Sequence, residues 1–341
     1  MTVNGLRPDL KPFKRGLTQK SLEALQELSD SSADNWWKEV LESKSLLLAV
    51  RGGDLNAYVK GQSVFKIGFE KDGAGGGQPR LAIHYKYLIK PDLEKKDPYV
   101  SFDGRTFALD PSTIVNTAYE SKLTLPQLIK TASRFSGAEK SGVHKIAQNE
   151  PKVVDLEVAF TQAGEESGLS APRMDLAVLI PGQRGRASLV FCEAKCADNK
   201  ELWTLEDEKP KQSENASRTL PRRISVVAQV AKYEKFIRDK TTGLINAYSE
   251  VCKTLVALNR QGSKRALDDL IIGVAEGNLE LSIHPHVYLL IYDFDDDQRK
   301  GGVKRRLDEL RSKGIRIIAR GDPASFNLVR DIMRAESKEQ F

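Results

Sequence analysis

Apolar and polar residues alternate with a period of two across much of residues 46–107. Leu46–Arg51, Leu55–Lys60, Ser63–Glu70 and Arg80–Ile89 read as strands, broken by turn pairs at Gly52-Gly53 and Gly61-Gln62. Tyr99–Phe107 reads as a hairpin around Asp103-Gly104. The pattern predicts an antiparallel meander of about five or six strands. Two short helices precede it, at Ser21–Leu28 and Ser32–Leu41. Ser32 or Asp34 is the expected cap of the second, and Trp36-Trp37 on it are expected to pack on the sheet. Residues 1–17 are basic and irregular.

From Leu125 the period becomes helical. Pro126 suits an early helix position, and Leu128, Ile129 and Ala132 keep the spacing. Gly137 interrupts, Ala138–Gln148 resumes, and Pro151 stops the pattern. Val153–Phe160, Met174–Ile180 and Ala187–Lys195 read as strands, the last two joined by a turn at Pro181–Arg186. Val154, Leu156, Val158 and Phe160 are expected on one face. The polar stretch Ala197–Arg218 suggests a loop or flap. Helices follow at Ile224–Asp239 and Leu244–Leu258, then a buried strand at Val287–Phe294, a helix at Val303–Lys313 and a strand at Ile315–Ala319. The order predicts an α/β (α+β) fold with a mixed central sheet flanked by helices. Residues 1–120 are expected to form an N-terminal domain of helices and antiparallel β-structure, with a recognition or regulatory role, and residues 121–341 a second domain.

Composition refines this only slightly. Of 341 residues, 40% are hydrophobic and 29% charged, the balance of a soluble globular protein. No apolar run is long enough to span a bilayer, and the N-terminus has no apolar signal segment, so a cytoplasmic location and no membrane partner are expected. Three cysteines, Cys192, Cys196 and Cys252, fit a reducing compartment. A net charge of +6 is compatible with a polyanion partner without requiring one.

The chemistry concentrates at Asp175 and Glu193-Ala194-Lys195. Side chains two apart on a strand share a face, so Glu193 and Lys195 point together. A hairpin would bring Asp175 beside them. Charges at the end of apolar strands must pair or bind a metal. Two carboxylates and an ammonium suit a hard divalent cation next to a phosphodiester.

Helix, strand, Asp strand, Glu-x-Lys strand and helix: this order resembles the PD-(D/E)XK nuclease superfamily. Seventeen residues separate Asp175 from Glu193, and Met174 stands where the family usually has Pro. Gln229 and Tyr233, one helical turn apart in the following helix, resemble the Gln-x-x-x-Tyr motif of the RecB-like branch. The resemblance covers residues 138–235 well and extends loosely to about 320. It implies a restriction-endonuclease-like sheet, and a metal-dependent deoxyribonuclease in which Asp175, Glu193 and the carbonyl of Ala194 hold Mg²⁺ or Mn²⁺. Lys195 would orient the attacking water, hold the phosphate or, with a lowered pKa, act as a base. Gln229 and Tyr233 would bond the phosphate or the water network. A further acid is expected on the preceding helix, where Glu139 fits best, with Glu150 and Glu157 as second choices. Arg222 and Arg223 are candidate phosphate contacts. DNA is the expected substrate and RNA the alternative. A homodimer or a protein partner from a restriction, antiviral defence or repair complex would fit. The competing expectation is an inactive nuclease fold that binds nucleic acid or a partner.

Other chemistries are disfavoured. Asp72–Gly77 lacks the Gly-Lys-Ser/Thr ending of a phosphate loop. Three cysteines cannot hold a four-thiolate cluster, and Cys192, pointing away from Glu193, is expected to be a small core residue. Asp293–Asp297 lacks the Gly and Glu of a calcium loop. His284-Pro285-His286 has no ligand-spaced partner, and no nucleophile elbow is present.

Overall fold

The computed structural model describes residues 13–70, 77–88, 99–108, 118–159, 173–204 and 225–339. Helix α1 (Gln19–Asp30) is capped by Thr18, whose hydroxyl accepts the Ser21 N–H. Helix α2 (Trp36–Glu42) starts later than expected. Asn35, not Ser32 or Asp34, caps it, accepting the N–H groups of Trp37 and Lys38. Trp36 and Trp37 are buried, and Trp36 meets Phe65 of the following sheet edge-on.

Strands β1 (Leu47–Val50), β2 (Leu55–Val59), β3 (Gln62–Phe69), β4 (Pro79–His84) and β5 (Tyr99–Phe102) form an antiparallel sheet in chain order. This is the expected meander. Strand β4 ends at His84, earlier than the pattern suggested, and a 3-10 turn follows at Tyr85–Tyr87. At the Asp103-Gly104 hairpin the Asp103 carboxylate accepts the N–H groups of Arg105 and Thr106, and Phe102 bridges to Phe107. Gly61 turns β2 into β3 with φ at 72° and lies so close to Lys140 that a Cβ would collide. The glycine loop expected at 72–77 lies outside the described residues except for Gly77.

Helices α3 (Thr124–Arg134) and α4 (Ala138–Asn149) lead to the second sheet. Its strands are β6 (Val153–Ala159), β7 (Arg173–Pro181), β8 (Arg186–Cys196), β9 (Glu280–Tyr292) and β10 (Arg316–Ala319). Between β8 and β9 lie α5 (Lys200–Trp203), α6 (Val226–Arg260) and α7 (Asp269–Glu276). Helices α8 (Asp296–Lys300) and α9 (Gly302–Ser312) precede β10, and α10 (Leu328–Glu339) follows it. Strand order is β10-β9-β8-β7-β6, antiparallel from β6 to β8 and parallel from β8 to β10. The result is a mixed α/β architecture with two sheets.

Three local expectations fail for physical reasons. The two helices expected over 224–258 are one helix of 35 residues, α6. Tyr233, Ile237, Leu244, Tyr248, Val251 and Leu255 form one buried stripe, and Thr241 bonds back to the Ile237 carbonyl, so the polar run at 238–243 only faces outward. Strand β9 starts at Glu280 rather than Val287, and absorbs His284-Pro285-His286 as a bulge against β8. On β6, pairing skips from Val153–Val178 to Asp155–Ala177. The bulged Val154 therefore joins Val158 in one apolar layer, while Val153 and Leu156 enter the other. Phe160 lies outside the described residues.

The second sheet separates two apolar layers. One packs on α6 and α7 and runs into the core of the first sheet. The other packs on α4 and α10. Strand β1 feeds both, with Leu48 and Val50 in the first and Leu47 and Ala49 in the second. At the seam, Asp155 is 1% exposed and receives Arg51 at 2.6 Å, Arg15 at 3.6 Å and the Tyr248 hydroxyl at 3.1 Å. Among the described residues no helix is long and apolar enough to cross a membrane.

His144 of α4 is buried beneath this seam and donates from Nε2 to the Ser45 carbonyl at 3.0 Å. Burial lowers its pKa to about 4. The native state therefore binds fewer protons than the unfolded chain between about pH 6.5 and 4, so this contribution is full above that window and lost as pH falls through it, by roughly 3 kcal/mol in all. Denaturant midpoints at pH 7.5 and 5 should diverge more in the wild type than in His144→Gln. Equal pH dependence in the two proteins would show that another group is responsible.

Candidate active site

The ladder between β7 and β8 runs from Pro181–Ala187 to Leu176–Cys192 and stops there. Beyond it, the Asp175 carboxylate accepts the Ala194 N–H at 2.7 Å. A side chain thus replaces the backbone partner where the strands part, and that replacement orients the carboxylate. Strand β8 stays paired with β9 through Cys196–Tyr292, which keeps Glu193 and Lys195 rigid. Both lie on the face covered by α6, and they are 3% and 5% exposed. Cys192 points to the other layer and is fully buried, with a thiol pKa raised first by burial. It is an inert core residue.

Lys195 sits at the centre of the acids. Its Nζ is 2.8 Å from Glu193, 3.0 Å from Glu201 and 3.9 Å from Glu139. Glu139, in the first turn of α4, is fixed by Asn199 at 2.7 Å, while Tyr292 donates to its backbone carbonyl. The expected helix acid is therefore in place. Glu150 instead accepts from backbone N–H groups of Lys152 and Val329, and Glu157 pairs with Lys140 at 3.1 Å. Glu201 was missed because it lies in the stretch read as a loop. Asn199 caps α5 with its side chain, and a cap followed by Leu202-Trp203 was the available signal. The rest of that stretch, 205–218, lies outside the described residues, as do Arg222 and Arg223.

On α6, Gln229 and Tyr233 face the cluster together, and the Gln229 amide donates to the Tyr233 hydroxyl at 2.9 Å. Burial, then the Glu193 charge, raises the phenol pKa, so Tyr233 remains a donor. Of six buried side-chain atoms without a partner among the described residues, two belong to this cluster: Glu193 Oε2 and Gln229 Oε1. Such orphans are rare in folded proteins and point to a missing partner at this spot.

The electrostatics are unbalanced. Four carboxylates, those of Asp175, Glu193, Glu139 and Glu201, surround one ammonium. Burial pushes the Asp175 carboxyl up to about 7, against the pull of Lys195 and the Ala194 N–H. Burial and the Asp175 charge raise Glu193 well above the carboxylate range. For Lys195, burial lowers the pKa, but Glu193 and Glu139 outweigh it and the ammonium is held charged. A lowered lysine is the expectation beside a bound cation; without one, the carboxylates around Lys195 keep it charged.

The donor set fits a hard divalent cation. Two adjacent carboxylates, one with a free buried oxygen, supply the oxygen ligands such ions prefer, and the excess negative charge would be relieved. Among the described residues, no three His, Cys, Asp or Glu side chains converge to hold an ion by themselves. The carbonyl of Ala194 and solvent would complete a shell.

A second charged feature escaped the sequence reading. The parallel register places the C-terminal ends of β8, β9 and β10 at one end of the sheet. A groove of about 730 Å³ runs along the edge strand β10 and is lined by Arg299, Arg311, Arg316, Arg320 and Arg334, with Asp331 among them. Arg330 joins Arg299 and Arg334 in the adjoining hollow. Arg316 pairs with Glu336 and Arg320 with Asp331. Arg299, Arg330 and Arg334 are exposed and make no ion pair among the described residues. They are scattered over α8 and α10, so no run of sequence announced them.

The position of Glu139 depends on Gly142. A Cβ at Gly142 would overlap the Tyr292 ring, whose hydroxyl holds the Glu139 carbonyl. Gly→Ala in an open helix position stabilises by up to about 1 kcal/mol. Gly142→Ala should instead destabilise by roughly 1–3 kcal/mol through overpacking. Gly243→Ala in α6, where nothing lies within 4 Å, is the control and should stabilise. Urea unfolding of both variants checks the opposite signs.

No family model, no curated protein and no solved structure matches this chain, so its function must be read from these side chains.

Proposed function

We propose that this protein is a divalent-metal-dependent nuclease that hydrolyses phosphodiester bonds of DNA. The observation that carries the reading is the group of half-buried Asp175 with buried Glu193 and Lys195, with Glu193 Oε2 left unpartnered. Asp175, Glu193 and the Ala194 carbonyl would hold Mg²⁺ or Mn²⁺. When bound, such an ion polarises a phosphate oxygen and lowers the pKa of its water.

The chain's own groups have separate tasks. Lys195 holds an anionic phosphate oxygen and fixes the water by donating to it. Glu139 and Glu201 keep the ammonium aimed at this position. Tyr233 donates to phosphate, and the free Gln229 carbonyl oxygen accepts from the attacking water. Burial of the cluster keeps bulk water out and strengthens each of these interactions. Arg299, Arg330 and Arg334, at the same end of the sheet, supply cations for flanking phosphates.

The test is cleavage of plasmid, linear duplex and single-stranded DNA with Mg²⁺, Mn²⁺ or EDTA. Glu193→Gln and Lys195→Ala should each lower the metal-dependent rate by at least about 100-fold. Glu193→Gln keeps the side-chain shape and relieves the crowding of acids around Lys195, so it should unfold at an equal or higher urea concentration. Metal-dependent cleavage that survives in both variants would sink the reading.

A further inference from the structure

A cavity of about 330 Å³ opens where the two sheets meet, far from the acidic cluster along α4. Its walls include Leu41 of α2 and Leu255 and Leu258 of α6, all buried. Its charged lining is one-sided. Lys44, Lys264 and Arg265 border it, and no Asp or Glu does.

Arg265 is the unusual member. One guanidinium nitrogen donates to the Val153 carbonyl, and Arg265 has no carboxylate partner among the described residues. Burial lowers its pKa to about 10, with only the distant charge of Asp155 opposing. The residue is half-buried and borders the cavity. An enclosed arginine without a counter-ion is costly, and a bound anion would remove that cost through forked, charge-assisted hydrogen bonds.

We propose that this cavity binds a small amphiphilic anion, with an apolar body against the leucines and a carboxylate or phosphate head on Arg265 and Lys264. The volume lies at the lower end of ligand pockets, which excludes large cofactors. Pockets of this kind form where separately packed layers meet, as here between α2, β1, α4 and α6. The site stands independently of the nuclease reading.

The experiment is calorimetric titration of the full-length protein with octanoate, octan-1-ol and octylammonium, which share one tail and differ in head charge, and with inorganic phosphate as the head alone. Octanoate should bind saturably, at least about 10-fold tighter than octanol, with octylammonium and phosphate weaker still. Leu267→Trp, which fills the lined space, should abolish binding, and Arg265→Gln should weaken it about 10-fold while keeping a donor for Val153. If Arg265→Gln does not fold, the head-group series and Leu267→Trp decide. Equal affinity for all three head groups, octanoate binding that persists in Leu267→Trp, or no saturable binding at millimolar octanoate would each overturn the proposal.

Discussion

The buried carboxylate of Asp155 is the constraint on which the rest of the structure depends. It stands on the outer strand β6 of the second sheet and receives Arg51 and Arg15 from the N-terminal region and Tyr248 from the middle of α6. The arginines make further bonds: Arg15 donates to the Val50 and Ala159 carbonyls, leaving only its Nε without a partner, and Arg51 donates to those of Leu156 and Glu157. Removing one partner of such a group leaves an uncompensated buried charge, a loss of about 3–5 kcal/mol. The network therefore fixes the first sheet, β6 and α6 in one arrangement. Strand β7, which carries Asp175, pairs directly with β6, so the candidate site inherits that arrangement.

Two buried ionic groups among the described residues carry opposite imbalances of charge. Around Asp155 two arginines serve one acid, and both carboxylate oxygens have a partner. Around Lys195 the acids outnumber the cation, and buried oxygens of Glu193 and Gln229 are left alone. A folded chain tolerates such imbalance only where its surroundings over-determine it, and imbalance of that kind collects at functional sites. Here the rigid pairing of β8 with β9 supplies the restraint. The same contrast marks Arg265, whose guanidinium has a carbonyl partner and no counter-ion.

Much of the fold was legible because strand alternation and helix periodicity are local. The meander and the Asp and Glu-x-Lys strands follow from patterns a few residues long, whereas Glu139 was expected only through the family resemblance. Most of the failures involve information from elsewhere in the chain. Continuity of α6 is set by a stripe that only the assembled core defines. The β6 bulge follows from its ladder with β7, so Asp155 looked like a polar-face residue until Arg15 and Arg51 were seen to reach it. Helices α7 and α10 carry weak local signals and gain their place by covering the two faces of the second sheet. Glu201 became visible only once Asn199 was seen to cap a helix.

Two helices give these sites a common frame. A helix of 35 residues extends about 50 Å. Along α6, Gln229 and Tyr233 face the acidic cluster, Tyr248 bonds Asp155, and Leu255 and Leu258 line the apolar cavity. Helix α4 makes a parallel set of contacts, from Glu139 beside Lys195, through Gly142 under Tyr292 and His144 on Ser45, to Gln148 on the Lys44 carbonyl. A helix transmits position rigidly because each turn is hydrogen-bonded to the next. The acidic cluster is thus held in register by contacts made many residues away, and the length of α6, rather than any single side chain, is what lets three buried polar centres share one geometry.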